Sequence, residues 1–476
     1  MLNKKNEELI EEMITKEANI KTLEKEKNNY VKQINHIKRS KTWKHSKLFR
    51  RLHGSITSIL GIDRRLKQKQ RLIELETKQE ETQKELYETR ELLQDLTLDD
   101  RKLDSHKITK LMRETKEEGK LIDYLNRVIE EKKIHENNYN YALKYTARLF
   151  MNEKIEYKNF VYTKVLSALK TEDIPEFMIR AGLEAESSIP LRQAASFRSS
   201  LSMRMRQKQL HDSLPEFTLE DKVSAYQFID QLNILRPETI DGKYSIVDIP
   251  IKDNIVIKPA DGAGARGVYL VYRFDYIVDV NRKREITSWE ELAESMIEDI
   301  KTGRVSEDAW LIEELIFEDQ ENKIPASDIK FYSFYGKIGL ILEITRYPER
   351  KHCWWTATGE RIRTGKYEED LFKGQGVSKE EIELATNLSM KIPAPFIRID
   401  FLRSHNGLIF GEFTAKPGNY DEFDKKTDQW LGDYFLEAQG RLTDDLLNGK
   451  QFEAYKQFTG NLNHSLDENH TSESHI

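Results

Sequence analysis

The stretch NIVIKPADGAGARGVYLV, residues 254 to 271, narrows most what this chain can fold into. An apolar run ends in Lys258, a glycine-rich segment carrying Arg266 follows, and a second apolar run begins. Strand, glycines, strand offers no helix N-terminus, which excludes the Walker loop and the dinucleotide-binding turn, both of which lead into a helix. Gly262, Gly264 and Gly267 leave backbone N–H groups bare enough to wrap an anion. Arg266 can add a planar fork, and Lys258 ends its strand where its ammonium reaches the same phosphates. Taken alone, the same residues also suit a plain hairpin turn.

A second hairpin follows far downstream. FIRIDFLRSHNGLIFGEFTAKPGN, residues 396 to 419, sets Arg398 and Asp400 on one face of a strand and Glu412 on the next strand, after a turn at His405 to Gly407. Carboxylates facing each other across a hairpin, completed by phosphate oxygens, are a hard donor set of the kind Mg2+ takes. A solvated acidic face is the other reading of these residues. Short β-type runs (NIVIK, GVYLVY, WLIEELI, IKFYSFY, KIGLILEIT, FIRIDFL, LIFGEFT) alternate with the helical patterns SWEELAESMIEDIK and SKEEIELATNLSMK. That order predicts an α+β unit. An amphipathic helix with Asp221 at its start, DKVSAYQFIDQLNI, precedes it.

The first hundred residues are of another kind. Leu2, Leu9, Leu23, Tyr30 and Ile37, with Met13, Ile20 and Ile34, follow a seven-residue repeat, and Leu72, Leu75, Leu86, Leu93 and Leu96 continue one. The pattern predicts a coiled coil and homo-oligomerisation through it, weakened where Asn6, Lys16 and Lys27 fall on the seam. Between the repeats, residues 38–60 mix Lys and Arg with Trp43, Leu48, Phe49, Leu52, Ile56, Ile59 and Leu60. Such a mixture suits an anionic bilayer surface, and equally a basic helix packed on a neighbouring domain. Residues 101–210 read as helical, 211–445 as the α+β unit, and 451–476 as a disordered tail.

Composition closes off several classes. The net charge of -6 argues against a nucleic-acid binder. The single cysteine, Cys353, excludes an internal disulfide. No signal peptide and no apolar run long enough to span a bilayer occurs, so a cytoplasmic protein is expected, peripheral on the inner face of the cell membrane. No Ser–His–Asp or Cys–His arrangement stands out; His352 and Cys353 are adjacent, and on a strand would point to opposite faces. Trp354 and Trp355 could form a sugar platform or simply pack.

A lysine strand with a glycine-rich hairpin, an acidic WLIEELI strand, and a terminal Arg-x-Asp … Glu hairpin, in that order, resemble the ATP-grasp superfamily. Within it, IVIKPADGAGARGV, DIKFYSFYGK and RIDF…GEFT are most similar to the TupA-like ATP-grasp proteins of cell-surface polysaccharide synthesis. The resemblance covers about residues 195 to 440 and implies two α+β lobes clamping ATP and Mg2+. It implies Lys222 and Lys258 as nucleotide lysines, with Gly262 to Gly267, including Arg266, as the lid over the phosphates. Glu313, Glu314 and Leu315 match the hinge that reads adenine and ribose, while Asp328 and Lys330 match an Asp-x-Arg position. Arg346 and Lys416 would meet phosphate or substrate, Arg398 the transferred phosphoryl group, and Asp400 and Glu412 the metal. Thr414, a weaker hydroxyl ligand for the metal, stands where many members have a metal-binding Asn. The chemistry implied is carboxylate–amine ligation through an acyl phosphate, joining an amino acid or other amine to a carboxylate of a glycan precursor. A sugar kinase on the same fold, or a nucleotide-binding scaffold without turnover, are the other readings.

Overall fold

The computed structural model describes residues 105–153, 155–183, 189, 191–211, 213–260, 266–346 and 349–460, with Lys25, Asn29 and Lys32. The expected coiled coil, most of it including the whole basic segment 38–60, therefore lies outside the described residues. The chain divides into two units, Met1–Tyr145 and Thr146–Ile476. In the first, helix α1 is Ser105–Glu117, and α2, Leu121–Leu149, runs on past the boundary. The second holds α3 (Ile155–Ala168), α4 (Glu176–Gly182), α5 (Phe197–His211), the short α6 (Pro215–Thr218) and α7 (Lys222–Gln231), followed by two large sheets and a two-stranded one.

Helix α7 starts where Asp221 caps it, its Oδ2 accepting the Ser224 N–H at 2.9 Å. The first sheet contains β1 (Thr239–Tyr244), β2 (Ile255–Pro259), β3 (Tyr269–Arg273), β4 (Tyr276–Asp279), β5 (Arg284–Ile286) and β6 (Trp310–Glu314). Their order across the sheet is β1-β6-β2-β3-β4-β5. Alternation gives it two different faces. Ile255, Ile257, Tyr269, Val271, Trp310 and Ile312 are buried with Leu292 and Met296 of α8 (Trp289–Lys301), whereas Val256, Leu270 and Lys258 point the other way, into a cleft.

A small hairpin, β7 (Phe317–Asp319) and β8 (Ile324–Pro325), leads to the second sheet. That sheet has β9 (Ser327–Ser333), β10 (Ile338–Thr345), β11 (Lys351–Trp355), β12 (Ile397–Ser404) and β13 (Gly407–Thr414), with α9 (Lys379–Ser389) between β11 and β12. The order is β11-β10-β9-β12-β13, all pairs antiparallel. Ile329, Phe331, Ile341, Ile399 and Phe401 form one buried face with Phe228 and Ile229 of α7 and Leu388 of α9. On the opposite face Tyr332, Leu340, Leu342 and Ile344 pack with Phe197 of α5 and with Leu431 and Phe435 of α10 (Lys425–Leu447). What those helices leave uncovered is the floor of the cleft.

The first ten residues of the expected disordered tail are a correction. Residues 453–460 are helical, and Phe452 and Phe458 are buried in the second lobe's cores, which two aromatic side chains at this spacing anchor. The rest of that tail lies outside the described residues. Trp354 and Trp355 are also buried, so they serve packing and not an open sugar platform; Trp355 Nε1 donates to Glu343 at 2.9 Å. Cys353 and His352 face opposite ways, with His352 stacked on Tyr367 at 4.3 Å. Burial and then Arg350 lower its pKa to about 4, so it is neutral at pH 7.

Glu343 is 1% exposed on β10 and braces the segment before α9, accepting from Gln375 N–H at 2.9 Å and from Arg403 at 3.3 Å. Replacing it with Leu leaves Arg403 in the interior without this carboxylate. We expect Glu343→Leu to cost about 3–5 kcal/mol in urea unfolding; an unchanged midpoint would refute the bracing role.

Candidate active site

On the small-lobe side everything converges on Glu313. Lys222, the first residue of α7, donates to its Oε1 at 2.6 Å, Tyr226 one turn on donates to the same oxygen at 3.1 Å, and Lys258 on β2 pairs with Oε2. Arg236 lies over the Tyr226 ring, 4.7 Å from its centroid. Burial first, then the Glu313 charge, drives the Tyr226 phenol pKa upward, so it stays a donor. Helix α7 itself rests on the large lobe, where Tyr226 meets Phe410 at 6.2 Å and Phe228 meets Phe413 at 6.1 Å. The Glu313 carboxylate thus ties the two lobes together through the two expected nucleotide lysines.

This changes the role read from the sequence for the hinge. Both Glu313 oxygens hold lysines, so a ribose could take this carboxylate only once those lysines turn to the phosphates. The Leu315 N–H donates to the Asn254 carbonyl at 2.9 Å and the Glu314 N–H to the Glu238 carbonyl at 2.8 Å, so neither donor faces a base. What Leu315 offers the cleft is apolar surface, in a cluster with Tyr272, Val278 and Phe317 and next to Val256 and Leu270.

The large-lobe floor is a grid of side chains. One transverse row runs Ile344, Asp328, Leu402; the next Leu342, Lys330, Asp400, Glu412; the third Leu340, Tyr332, Arg398, Thr414. Arg398 grips Asp400 with two hydrogen bonds, 2.6 and 2.7 Å, and Lys330 pairs with the same carboxylate from β9. Arg346 grips Asp328, at 2.9 Å for its Nη2. Burial alone would raise the Asp328 and Asp400 pKa values, but the neighbouring cations outweigh it and hold both below the ordinary carboxylate range. Glu412 goes the other way: desolvation by the surrounding cleft first, then the Asp400 charge, raise it, an effect that solvent screens because the side chain is 55% exposed.

That Glu412 opposes Asp400 depends on an irregularity. The ladder pairs Ser404 with Gly407 and Phe401 with Phe410; continued without interruption it would set Asp400 opposite Gly411. Instead the register shifts there, and Asp400 pairs with Glu412. The extra residue lets Phe410 and Phe413 both stay in the core while Glu412 turns to the cleft. It is a glycine because a Cβ at 411 would sit 3.1 Å from the Asp400 carbonyl oxygen.

Of the remaining expected residues, Thr414, expected at the metal, accepts from Arg398 Nη2 at 2.9 Å, which helps hold that guanidinium. Lys416 is exposed at the rim, its N–H and that of Ala415 donating to Glu220 at 3.3 and 3.0 Å. Arg266 lines the cleft; Gly262 and Gly264 lie outside the described residues. Gly267 sits at φ +68°, a conformation that favours glycine, and begins the return to β3. Sequence reasoning missed Tyr226, one helical turn from Lys222, and Lys366 and Arg350, which only the tertiary fold brings to the cleft.

The cleft encloses ≈ 1080 Å³ between the two sheets. Its donors fit a Mg-nucleotide: hard carboxylate oxygens at Asp400 and Glu412 for the metal, Lys222 and Lys258 across from them for phosphates, and apolar β-sheet surface for a ring. The TupA-like ATP-grasp family model matches residues 199–436, from α5 to α10. The chain belongs to that family, and ATP-grasp proteins bind ATP and Mg2+. No curated protein matches it. Among solved structures it is similar to D-alanine–D-alanine ligase from Bacillus anthracis, at 15% identity and a TM-score of 0.29 over 48% of this chain and 68% of that one. It is also similar to the ATP-grasp ligase PsnB complexed with minimal precursor, at 12% identity and 0.28 over 51% and 73%.

Two substitutions separate the halves of this site. Lys258→Met should weaken ATP binding roughly tenfold to a hundredfold with or without Mg2+, as for one charge-assisted contact. Glu412→Gln should weaken it only when Mg2+ is present. Because the Glu412 pKa is raised, Mg2+ enhancement in the wild type should fade on acidification at a higher pH than an ordinary glutamate would give, and Glu412→Gln should remove that dependence. Calorimetric titrations of both variants decide it, and equal losses under all conditions would contradict the division.

Proposed function

We propose that this protein is an ADP-forming carboxylate–amine ligase acting on a cell-surface polysaccharide or its precursor. The observation that carries the reading is the facing pair Asp400 and Glu412, with Arg398 beside it and the Glu313-held lysines across the cleft. Lys222 and Lys258 leave Glu313 for the nucleotide phosphates, which compete for them as stronger anions. Arg398, aligned by Asp400 and Thr414, neutralises charge on the γ-phosphoryl group as it passes to the acceptor carboxylate. ADP leaves, and an acyl phosphate remains. An amine then attacks the acyl carbon, losing a proton as the amide forms and expelling inorganic phosphate. Mg2+, held by Asp400 and Glu412, would supply charge neutralisation at the phosphate oxygens. No protein nucleophile is required, because positioning and charge do the work.

Incubating the protein with ATP, uronic acids and a panel of amines should release ADP and inorganic phosphate together, only when acid and amine are both present. A stable phosphorylated sugar in place of free phosphate would make it a kinase instead.

We further propose attachment to the inner membrane surface through residues 38–60, with self-association through the flanking repeats. The support is the interleaving of basic and aromatic residues. Among the described residues no helix is long and apolar enough to cross a membrane. The full chain should sediment with vesicles containing anionic lipid, and a chain lacking residues 1–100 should not; equal sedimentation of both would refute this anchor.

A further inference from the structure

Most cations of the cleft have a carboxylate already. Lys222 and Lys258 rest on Glu313, Lys330 and Arg398 on Asp400, and Arg346 on Asp328. Lys366, in the segment between β11 and α9, is different. It is 1% exposed, yet among the described residues no carboxylate forms an ion pair with it. Its Nζ donates to the Gly418 carbonyl at 2.5 Å and lies 4.8 Å from the centroid of Tyr367 and 5.2 Å from that of Phe423. The backbone is pinned as well, the Lys366 carbonyl accepting from Trp354 Nε1 at 3.0 Å. Arg350, just before β11, shares the Tyr367 ring at 6.0 Å and also forms no ion pair among the described residues.

The charges acting on Lys366 all come from the large lobe. Burial first, then Arg398, and also Arg350, press its pKa down to about 8, against the pull of Glu422 and Asp421. A buried ammonium with a carbonyl and two ring faces for company is costly unless an anion joins it. Gly418, its partner, lies four residues beyond Thr414, the end of the row that holds Arg398. Lys366 therefore belongs to the large lobe and flanks the row of the floor that holds Arg398, whereas the two nucleotide lysines are held by Glu313.

We infer that Lys366 and Arg350 form a subsite for a second carboxylate of the acceptor, adjacent to the one that is phosphorylated, so that the acceptor is a polycarboxylate chain and not a glycan with a single acid. This rests on the ligase reading for its first carboxylate, but the subsite can be tested without turnover. Aromatic faces beside the two cations would hold the backbone of such a chain while the charges hold its acid.

The test is calorimetric titration of the full chain with tetragalacturonate, with and without Mg-AMPPNP. The wild type should bind, more weakly at high salt and above pH 8 as Lys366 loses its proton. Lys366→Met and Arg350→Gln should each weaken this binding about tenfold while Mg-AMPPNP affinity stays unchanged, and Lys366→Arg should retain binding without the alkaline loss. Arg350 is exposed, so its variant reports even if Lys366→Met disturbs folding. No wild-type binding, equal binding of the neutral tetragalactose, or variants that bind like the wild type would overturn the subsite. A parallel fall in Mg-AMPPNP affinity would assign these cations to the nucleotide instead. Failure of Mg-AMPPNP to bind the wild type defeats the ligase reading alone, since the unloaded titration still judges the subsite.

Discussion

The Asp400 carboxylate is the fixed point of the cleft. It is almost wholly buried, and a charge in that position persists only because Arg398 grips both oxygens from the same strand and Lys330 approaches from the next. Around it the other charges fall into place: Thr414 steadies Arg398, Asp328 takes Arg346, and Glu412 lines the cleft opposite it. A second anchor, Glu313 on the small lobe, gathers Lys258 of its own sheet and Lys222 and Tyr226 of α7. The cleft thus holds its cations on its own carboxylates, and a nucleotide and a metal would exchange partners with groups already in position. Such preorganisation limits the rearrangement that charge transfer would otherwise require.

Much of this was legible in the sequence, and for identifiable reasons. Long, strongly periodic segments such as SWEELAESMIEDIK and KIGLILEIT signal their structure, because one face of each must be apolar at a fixed spacing. Arg398 and Asp400 could be paired from a spacing of two, and Lys258 placed at the end of its strand. Strands β1, β4, β5, β7, β8 and β11 are not among the β-type runs the sequence shows. TIDGKY carries a glycine and polar residues, KHCWW lacks a clear alternation, and YIVD, REI, FED and IP are too short for any period to show.

Asp400 and Glu412 face each other across the hairpin, but simple alternation does not secure it. The tight turn at Ser404 to Gly407 would have paired Asp400 with Gly411, and the bulge restores the match. Nothing local in GLIFGEFT announces that extra residue except the glycine itself. The hinge was read from resemblance, and the ladder overrode part of it: the Leu315 and Glu314 donors belong to neighbouring backbone, and the Glu313 carboxylate to lysines. Lys366 escaped notice because its significance is tertiary, arising from burial beside residues fifty positions away at Gly418 and thirty at Arg398, roughly counted along the chain.

The central claim is that Asp400 and Glu412 together hold the divalent cation that accompanies the nucleotide. Electron paramagnetic resonance of Mn2+ titrated into the protein tests it most directly. The account requires Mn2+ to bind much more tightly once AMPPNP is present, with that gain abolished by Asp400→Asn. Mn2+ binding that is indifferent to AMPPNP, or that survives the substitution, would contradict it.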